Sequence, residues 1–85
     1  MKDSTNPPEF RATQPALLSA NGTAQLLGVS RSYVFELDAT ERLPAAVRLG
    51  RRRLWSSAEL LAWAEHGCPR RAVWEAVWRE MRGAR

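Results

Sequence analysis

Cysteine is nearly absent from this 85-residue chain, and its one copy, Cys68, has no second thiol with which to form an internal disulfide bond. Small secreted domains are commonly stabilised by several disulfide bonds, so this scarcity argues against such a scaffold. One cysteine beside one histidine, His66, also falls far short of a structural zinc site. We therefore expect no metal site, and a chain this short then depends on efficient helix packing or on a partner.

Long hydrophobic runs are missing as well. Residues 1–14 are polar, contain Pro7 and Pro8, and lack the apolar core that a signal peptide needs. No uninterrupted apolar stretch elsewhere approaches membrane-spanning length. We predict a cytoplasmic protein with no membrane partner, in which residues 1–16 form a flexible arm.

Clustered catalytic side chains are the third absence. The sequence contains no set of an acid, a base and a nucleophile, and no group of metal ligands, in a pattern typical of an active site. We therefore predict no catalytic residues, no cofactor and no enzymatic activity.

Lysine is rare, because arginine supplies all but one of the 13 basic residues of a chain whose formal net charge is +4. Guanidinium groups bind phosphates in a bidentate manner and can enter a minor groove, whereas a merely soluble surface could use lysine equally well. The arginine bias favours a nucleic-acid partner. GC-rich genomes also enrich arginine, so the positions of the arginines, and not their number, have to show whether the partner is a nucleic acid.

Two short helices joined by a tight turn are predicted after the apolar pair Leu17 and Leu18. Ser19 is a suitable N-cap for the first helix, and Gly28 suits the left-handed position at its end. Ser30 then restarts the helical pattern at once.

The second helix has a stripe of apolar residues at helical spacing. We expect this stripe to be buried, and it comprises Tyr33, Val34 and Leu37. The arrangement is typical of a helix-turn-helix, whose second helix lays its N-terminal residues along base edges in the major groove. A small helical hairpin without a role in DNA recognition is the alternative.

A β-hairpin is predicted after Leu43 and Pro44, which should close the second helix region. Gly50 and Arg51 can form its tight turn. Because a two-stranded ribbon is not stable alone, we expect one face to pack against the helices, formed by Val47, Leu49 and Leu54. Four arginines are then left to solvent or to phosphate, and their mutual repulsion is best explained by a bound anion: Arg48, Arg51, Arg52 and Arg53.

Two further helices are predicted in the C-terminal third. Ser56 and Glu59 form a capping-box pattern that opens a third helix, which has Trp63 in the core and ends at Gly67. A fourth, amphipathic helix can begin after Pro69. Its apolar side chains either complete the core or form a docking surface for another protein, and the most prominent are Trp74, Trp78 and Met81.

Four segments, in this order, closely resemble the excisionase and AlpA-like regulators of phages, relatives of the MerR winged-helix domain. They are residues 26–31 (Leu-Leu-Gly-Val-Ser-Arg), 43–44 (Leu-Pro), 47–55 (Val-Arg-Leu-Gly-Arg-Arg-Arg-Leu-Trp) and 59–63 (Glu-Leu-Leu-Ala-Trp). The resemblance implies a winged helix-turn-helix fold, mainly α with a small β-hairpin and three to four helices. We assign the DNA-binding domain to residues 17–67 and an amphipathic helix to residues 68–85.

The resemblance also implies residue roles. The recognition helix would carry Ser30, Arg31, Ser32, Tyr33, Phe35 and Glu36. The wing would carry Arg48, Arg51, Arg52 and Arg53. The implied function is that of an excisionase, a bacterial or phage-encoded protein that binds and bends attachment-site DNA to direct an integrase.

Two other functions stay open. The first is that of an AlpA-like transcriptional regulator of a phage or mobile element, and the more distant one is a protein-interaction adaptor that uses Trp74 and Trp78. For the excisionase and the regulator, the expected partners are double-stranded DNA, neighbouring copies of the chain on repeated sites, and a cognate integrase.

Two departures from the family pattern concern local geometry. Gly22 stands in the first helix, where the family usually has a better helix former. Residues 40–42 (Thr-Glu-Arg) replace the glycine-containing turn that commonly precedes Leu-Pro.

Overall fold

The computed structural model describes residues 15–83, which form four helices and a three-stranded antiparallel sheet. The elements in chain order are β1 (Leu17–Leu18), α1 (Ala20–Leu27), α2 (Arg31–Ala39), β2 (Val47–Leu49), β3 (Arg52–Ser56), α3 (Ser57–Glu65) and α4 (Arg71–Gly83). The predicted winged helix-turn-helix fold is confirmed. The predicted arm lies outside the described residues except for Pro15 and Ala16. No helix in the described part is long and apolar enough to cross a membrane.

The two-residue strand β1 is an element that the sequence did not predict, because two residues are too few to show alternation. Leu17 pairs with Ser56 and Leu18 pairs with Trp55, so β3 lies in the centre of the sheet between β1 and β2. The hydroxyl of Ser57 donates a hydrogen bond to the carbonyl oxygen of Pro15 at 2.7 Å. The start of the described chain is thereby fixed at the junction of β3 and α3.

The predicted N-caps are confirmed at Ser19 and Ser56, and Ser30 caps α2 in the same way. The hydroxyl oxygens of Ser19, Ser30 and Ser56 accept hydrogen bonds from backbone N–H groups three residues onward, at 3.0 to 3.2 Å. Each such cap typically contributes about 1 kcal/mol. Gly28 ends α1 with a φ of +75°, as predicted, so the turn between α1 and α2 has its two ends fixed locally.

Helix α2 ends earlier than predicted, at Ala39, so the prediction that Pro44 closes it is wrong. Glu41 adopts a φ of +58°, and the N–H of Arg42 donates to the carbonyl oxygen of Leu37 at 2.8 Å. This is a Schellman-type helix end, in which glycine usually takes the left-handed position. The glycine-free turn thus keeps a left-handed geometry with a glutamate in it.

Gly22, the other departure, lies in the first turn of an intact α1, against the strand before it. A Cβ atom at this position would lie 3.3 Å from the side chain of Leu18. A side chain at this position would press on Leu18, which gives a structural reason for the glycine.

Three tryptophans form the centre of the core together with smaller side chains from all four helices and from β1. Trp63 is buried as predicted, and Trp55 and Trp74 are fully buried. Each indole N–H has an acceptor, because Trp55 donates to the Pro44 carbonyl at 3.2 Å and Trp63 to the Pro69 carbonyl at 2.9 Å. Trp74 donates to a carboxylate oxygen of Glu59 at 2.8 Å. No indole N–H is therefore buried without a partner in this core.

The hairpin packs on the opposite face from the one predicted. Side chains alternate along β3, and Trp55 is the residue that enters the core, so Leu54 lies on the other face. Leu54 is buried, but its cross-strand partner Val47 is exposed and Leu49 is 59% exposed. The prediction for Val47 and Leu49 is wrong because the larger indole of Trp55 decides which face of the hairpin is inside.

Helix α4 contributes one side of its apolar stripe to this same core. Trp74 is fully buried and stacks on the half-buried Trp78, with ring centroids 5.4 Å apart. Val73 is exposed, and Met81 is 38% exposed. The core interpretation is therefore correct for Trp74, and the prediction that Trp74 belongs to a docking surface is wrong.

Candidate nucleic-acid interface

The N-terminal half of α2 presents a polar surface to solvent. All six predicted recognition residues are exposed, namely Ser30, Arg31, Ser32, Tyr33, Phe35 and Glu36. The prediction that Tyr33 belongs to the buried stripe is wrong, since Tyr33 is 37% exposed, whereas Val34 and Leu37 are buried as predicted. Unpaired N–H groups and the positive end of the helix dipole occur at such a helix start, and both favour an anion.

Arg31 contacts an aromatic side chain of its own helix. Its guanidinium carbon lies 5.0 Å from the centroid of the Phe35 ring, one helical turn away. A cation–π contact of this kind at an exposed site contributes about 0.5 to 1 kcal/mol. The arginine is therefore held over the surface of α2, where it reaches away from the core.

The hairpin carries the second concentration of positive charge. Gly50 has a φ of +63° and, with Arg51, forms the two-residue turn that the sequence predicted. Arg48 lies opposite Arg53, and Arg52 lies opposite Leu49. Since directly opposite residues share a face, guanidinium groups project from both faces of the hairpin. Arg48, Arg51 and Arg52 are exposed.

Asp38 joins the hairpin to α2. Its Oδ2 lies 2.6 Å from Nη1 of Arg53, so Arg53, although exposed as predicted, already has an acidic partner. The Asp38 side chain is 14% exposed and that of Arg53 is 47% exposed. The arginine hairpin and the predicted recognition helix are thus in direct polar contact.

Arg71, at the start of α4, binds the same carboxylate from the other side. Its Nη2 lies 2.8 Å from Oδ1 of Asp38, and its Nε donates to the Leu43 carbonyl at 2.8 Å. The backbone N–H of Arg71 donates to the carbonyl oxygen of Glu41 at 3.0 Å. Helix α4 is therefore fastened to the turn between α2 and β2.

Sequence reasoning missed both Asp38 and Arg71. One signal was available, because a negative charge in the last turn of a helix is unfavourable with respect to the helix dipole. Asp38 occupies such a position in α2. An acid there calls for a nearby cation, although the sequence does not say which of the many arginines supplies it.

An apolar groove of about 310 Å³ lies between the helix pair and α3, and its lining includes Leu26, Leu27, Tyr33, Leu61 and Cys68. Within residues 15–83, no group of three or more histidine, cysteine, aspartate or glutamate side chains could hold a metal ion. The ring nitrogen Nδ1 of His66 lies 2.9 Å from the carbonyl oxygen of Ala62, in its own helix. This local contact explains the position of the His66 ring.

Comparison with known proteins gives one family. The profile of the helix-turn-helix domain family matches residues 17–68, which is more than half of the chain. No curated protein and no solved structure gives a significant match. The matched segment extends from β1 to just beyond α3 and contains α2 and the arginine hairpin.

Proposed function

The chain belongs to the helix-turn-helix domain family and binds DNA, and from this premise we propose how it binds and what the binding does. Helix α2 enters the major groove, and the β2–β3 hairpin acts as a wing on the adjacent minor groove and backbone. The observation that carries this proposal is the Arg53–Asp38 ion pair, which holds an exposed arginine hairpin against α2. We place the protein in the cytoplasm of a bacterium, where its DNA is accessible.

Sequence discrimination is assigned to the N-terminal half of α2. Arg31 is the leading candidate for a base contact, because an arginine can bind the two acceptors of a guanine edge in the major groove. The surrounding side chains that we assign to the recognition surface are Ser30, Ser32, Tyr33, Phe35 and Glu36.

Replacing Arg31 tests this assignment. Arg31→Ala should cost about 1 to 3 kcal/mol at one position of the preferred site and relax selectivity there. The measurement is selection of binding sites from a randomised duplex pool by the wild type and by the variant. Arg79→Ala, which removes an exposed arginine from α4 and leaves the recognition surface intact, provides the matched control. Identical selected motifs for wild type and Arg31→Ala would contradict the assignment.

Affinity is assigned to the wing. Arg48, Arg51 and Arg52 are exposed around the turn, and contacts to phosphates add a salt-sensitive term that is common to all sequences. A domain of this size reads few base pairs. Useful specificity then requires neighbouring copies on repeated sites, or a second protein beside it on bent DNA.

The biological role that we propose is excisionase activity. The family includes excisionase-like and AlpA-type regulators, and the order of the motifs resembles these proteins closely. In this role the protein bends attachment-site DNA and directs a cognate integrase towards excision. Transcriptional regulation of a phage or mobile element is the second candidate, since it uses the same DNA-binding surface.

An excision assay separates the two roles. Purified integrase of the same element is incubated with a plasmid that carries its attachment sites, with and without this protein. The excisionase role predicts that recombinant product increases when the protein is added. Unchanged excision, together with altered transcription from a promoter of the element, would instead favour the regulator.

A protein-interaction role is the third and more distant candidate. It is favoured by the exposed apolar side chains on α4, Val73 and Met81, next to the half-buried Trp78. We propose this surface as the site at which an integrase or a neighbouring copy docks. Charge-reversing changes in the wing would leave such docking intact while they abolish DNA binding.

A further inference from the structure

The carboxylate of Asp38 is shared by two arginines that belong to different elements. One oxygen binds Arg53 from β3 at 2.6 Å, and the other binds Arg71 from α4 at 2.8 Å. Both oxygens of a mostly buried acid are therefore committed to guanidinium groups. Charge-assisted pairs are stronger than neutral hydrogen bonds, so these two contacts restrain the elements that carry them.

The two strands of the hairpin differ in how they are attached to the rest of the protein. Trp55 fixes β3 to the core, but all three residues of β2 are exposed. Arg53 lies on the Trp55 face and is closer to the turn. The Arg53–Asp38 pair is consequently the attachment nearest to the tip of the hairpin, and it restrains the angle between the hairpin and α2.

Arg53 differs from the neighbouring arginines because its charge is paired with that of an acid. Within residues 15–83, Arg48, Arg51 and Arg52 form no ion pair with an acid, whereas the charge of Arg53 is offset by Asp38. A free arginine that neutralises a phosphate releases condensed counterions and steepens the salt dependence of binding. An arginine that already neutralises a carboxylate adds little to that release.

We infer that Asp38 is a positioning residue for DNA binding, an inference that rests on the function proposed above. Through Arg53 it holds the wing at a fixed angle to α2, and it withholds Arg53 from the phosphate contacts. The wing then binds phosphates through Arg48, Arg51 and Arg52. Restraining the wing before binding lowers the conformational entropy that is lost on the DNA.

The first test compares two adjacent arginines. The dissociation constants of wild type, Arg52→Met and Arg53→Met are measured on a 20-base-pair duplex of random sequence over a range of salt concentrations. Arg52→Met should reduce the slope of log K against log salt concentration by about 0.9, the value for one phosphate contact.

Arg53→Met should weaken binding about twofold to tenfold at every salt concentration, because the wing is no longer restrained, and it should leave the slope unchanged. A slope that falls as much for Arg53→Met as for Arg52→Met would overturn the inference, because Arg53 would then be a phosphate ligand.

The second test removes the charge of Asp38 while keeping its shape. Asp38→Asn should release Arg53 to the DNA and increase the slope by about 0.9. The double variant Asp38→Asn/Arg53→Met should return the slope to the wild-type value. Asp38→Glu keeps the negative charge and should therefore have the wild-type slope. An increase that persists in the double variant would overturn the inference, since Arg53 would not be its source.

Folding is measured separately by circular dichroism and thermal unfolding. If Asp38→Asn does not fold, the comparison of Arg52→Met with Arg53→Met decides alone. The proposed function has its own outcome in the same experiment, because a folded wild-type protein that binds no duplex would refute DNA binding itself. Wild-type binding that Arg52→Met weakens supports the function, whatever the Asp38 variants do.

Discussion

The hairpin and helix α4 are attached to the molecule in the same way but present different surfaces. Each has one fully buried indole, Trp55 or Trp74, whose N–H donates a hydrogen bond to an oxygen atom of another element or loop. Each also has one arginine that binds the carboxylate of Asp38. The charged residues exposed on the hairpin are all arginines, whereas α4 exposes Val73 and Met81 among charged side chains of both signs. One mode of attachment thus serves two surfaces with different chemistry.

The largest expected effects come from removing the two anchors. Trp55→Ala and Trp74→Ala should each destabilise the protein by about 3 to 5 kcal/mol, because each leaves a large cavity in the core. Urea denaturation followed by circular dichroism measures the loss. The half-buried Trp78 is the matched control, and Trp78→Ala should cost clearly less. If Trp74→Ala melted only α4 and left DNA binding intact, the two attachments would not be equivalent.

The exposed sides should respond to different assays. Arg51→Ala should weaken binding to any duplex about eightfold at 0.1 M salt, through the loss of one phosphate contact. Val73→Ser, on the exposed side of α4, should leave the affinity of a single copy for DNA unchanged and alter stability by less than about 0.5 kcal/mol. Fluorescence anisotropy with a labelled duplex gives both affinities. An equal loss in both variants would mean that α4 also contacts the DNA.

The smallest expected effect concerns the turn that follows α2. Glu41 has a left-handed φ, so Glu41→Gly should stabilise the protein by about 0.5 to 1 kcal/mol, the relief of strain less the extra entropy of glycine in the unfolded chain. Thermal unfolding measures the gain. Glu41→Ala keeps the Cβ atom and should bring no such gain. A stabilised alanine variant would point to the charge of Glu41 instead of its backbone.

Features that depend on near neighbours in the chain could be predicted from the sequence. The caps at Ser19 and Ser56, the left-handed Gly28 and the turn at Gly50 each require a few adjacent residues, and each is present where the sequence placed it. Local hydrogen bonding determines where these caps and turns form, and the residue types at these positions indicate it.

Features that depend on distant residues could not be predicted. Leu54 and Trp55 are both apolar and adjacent, so alternation alone does not say which of them faces the core. Asp38 meets Arg53 and Arg71 across separations of 15 and 33 residues. With 12 arginines available in the chain, the pattern of charges does not identify which two it binds. The roles of the recognition helix and the wing stay predictions.

The strand β2 has one further consequence, which concerns solubility. In the described part of the chain β2 pairs only with β3, so its outer edge offers unpaired backbone groups to any other strand. Such edges promote association between copies unless they are short or charged. This edge is three residues long, carries Arg48 in its middle and adjoins Arg51 and Arg52. The positive charge that suits a phosphate backbone therefore also discourages edge-to-edge aggregation of the free protein.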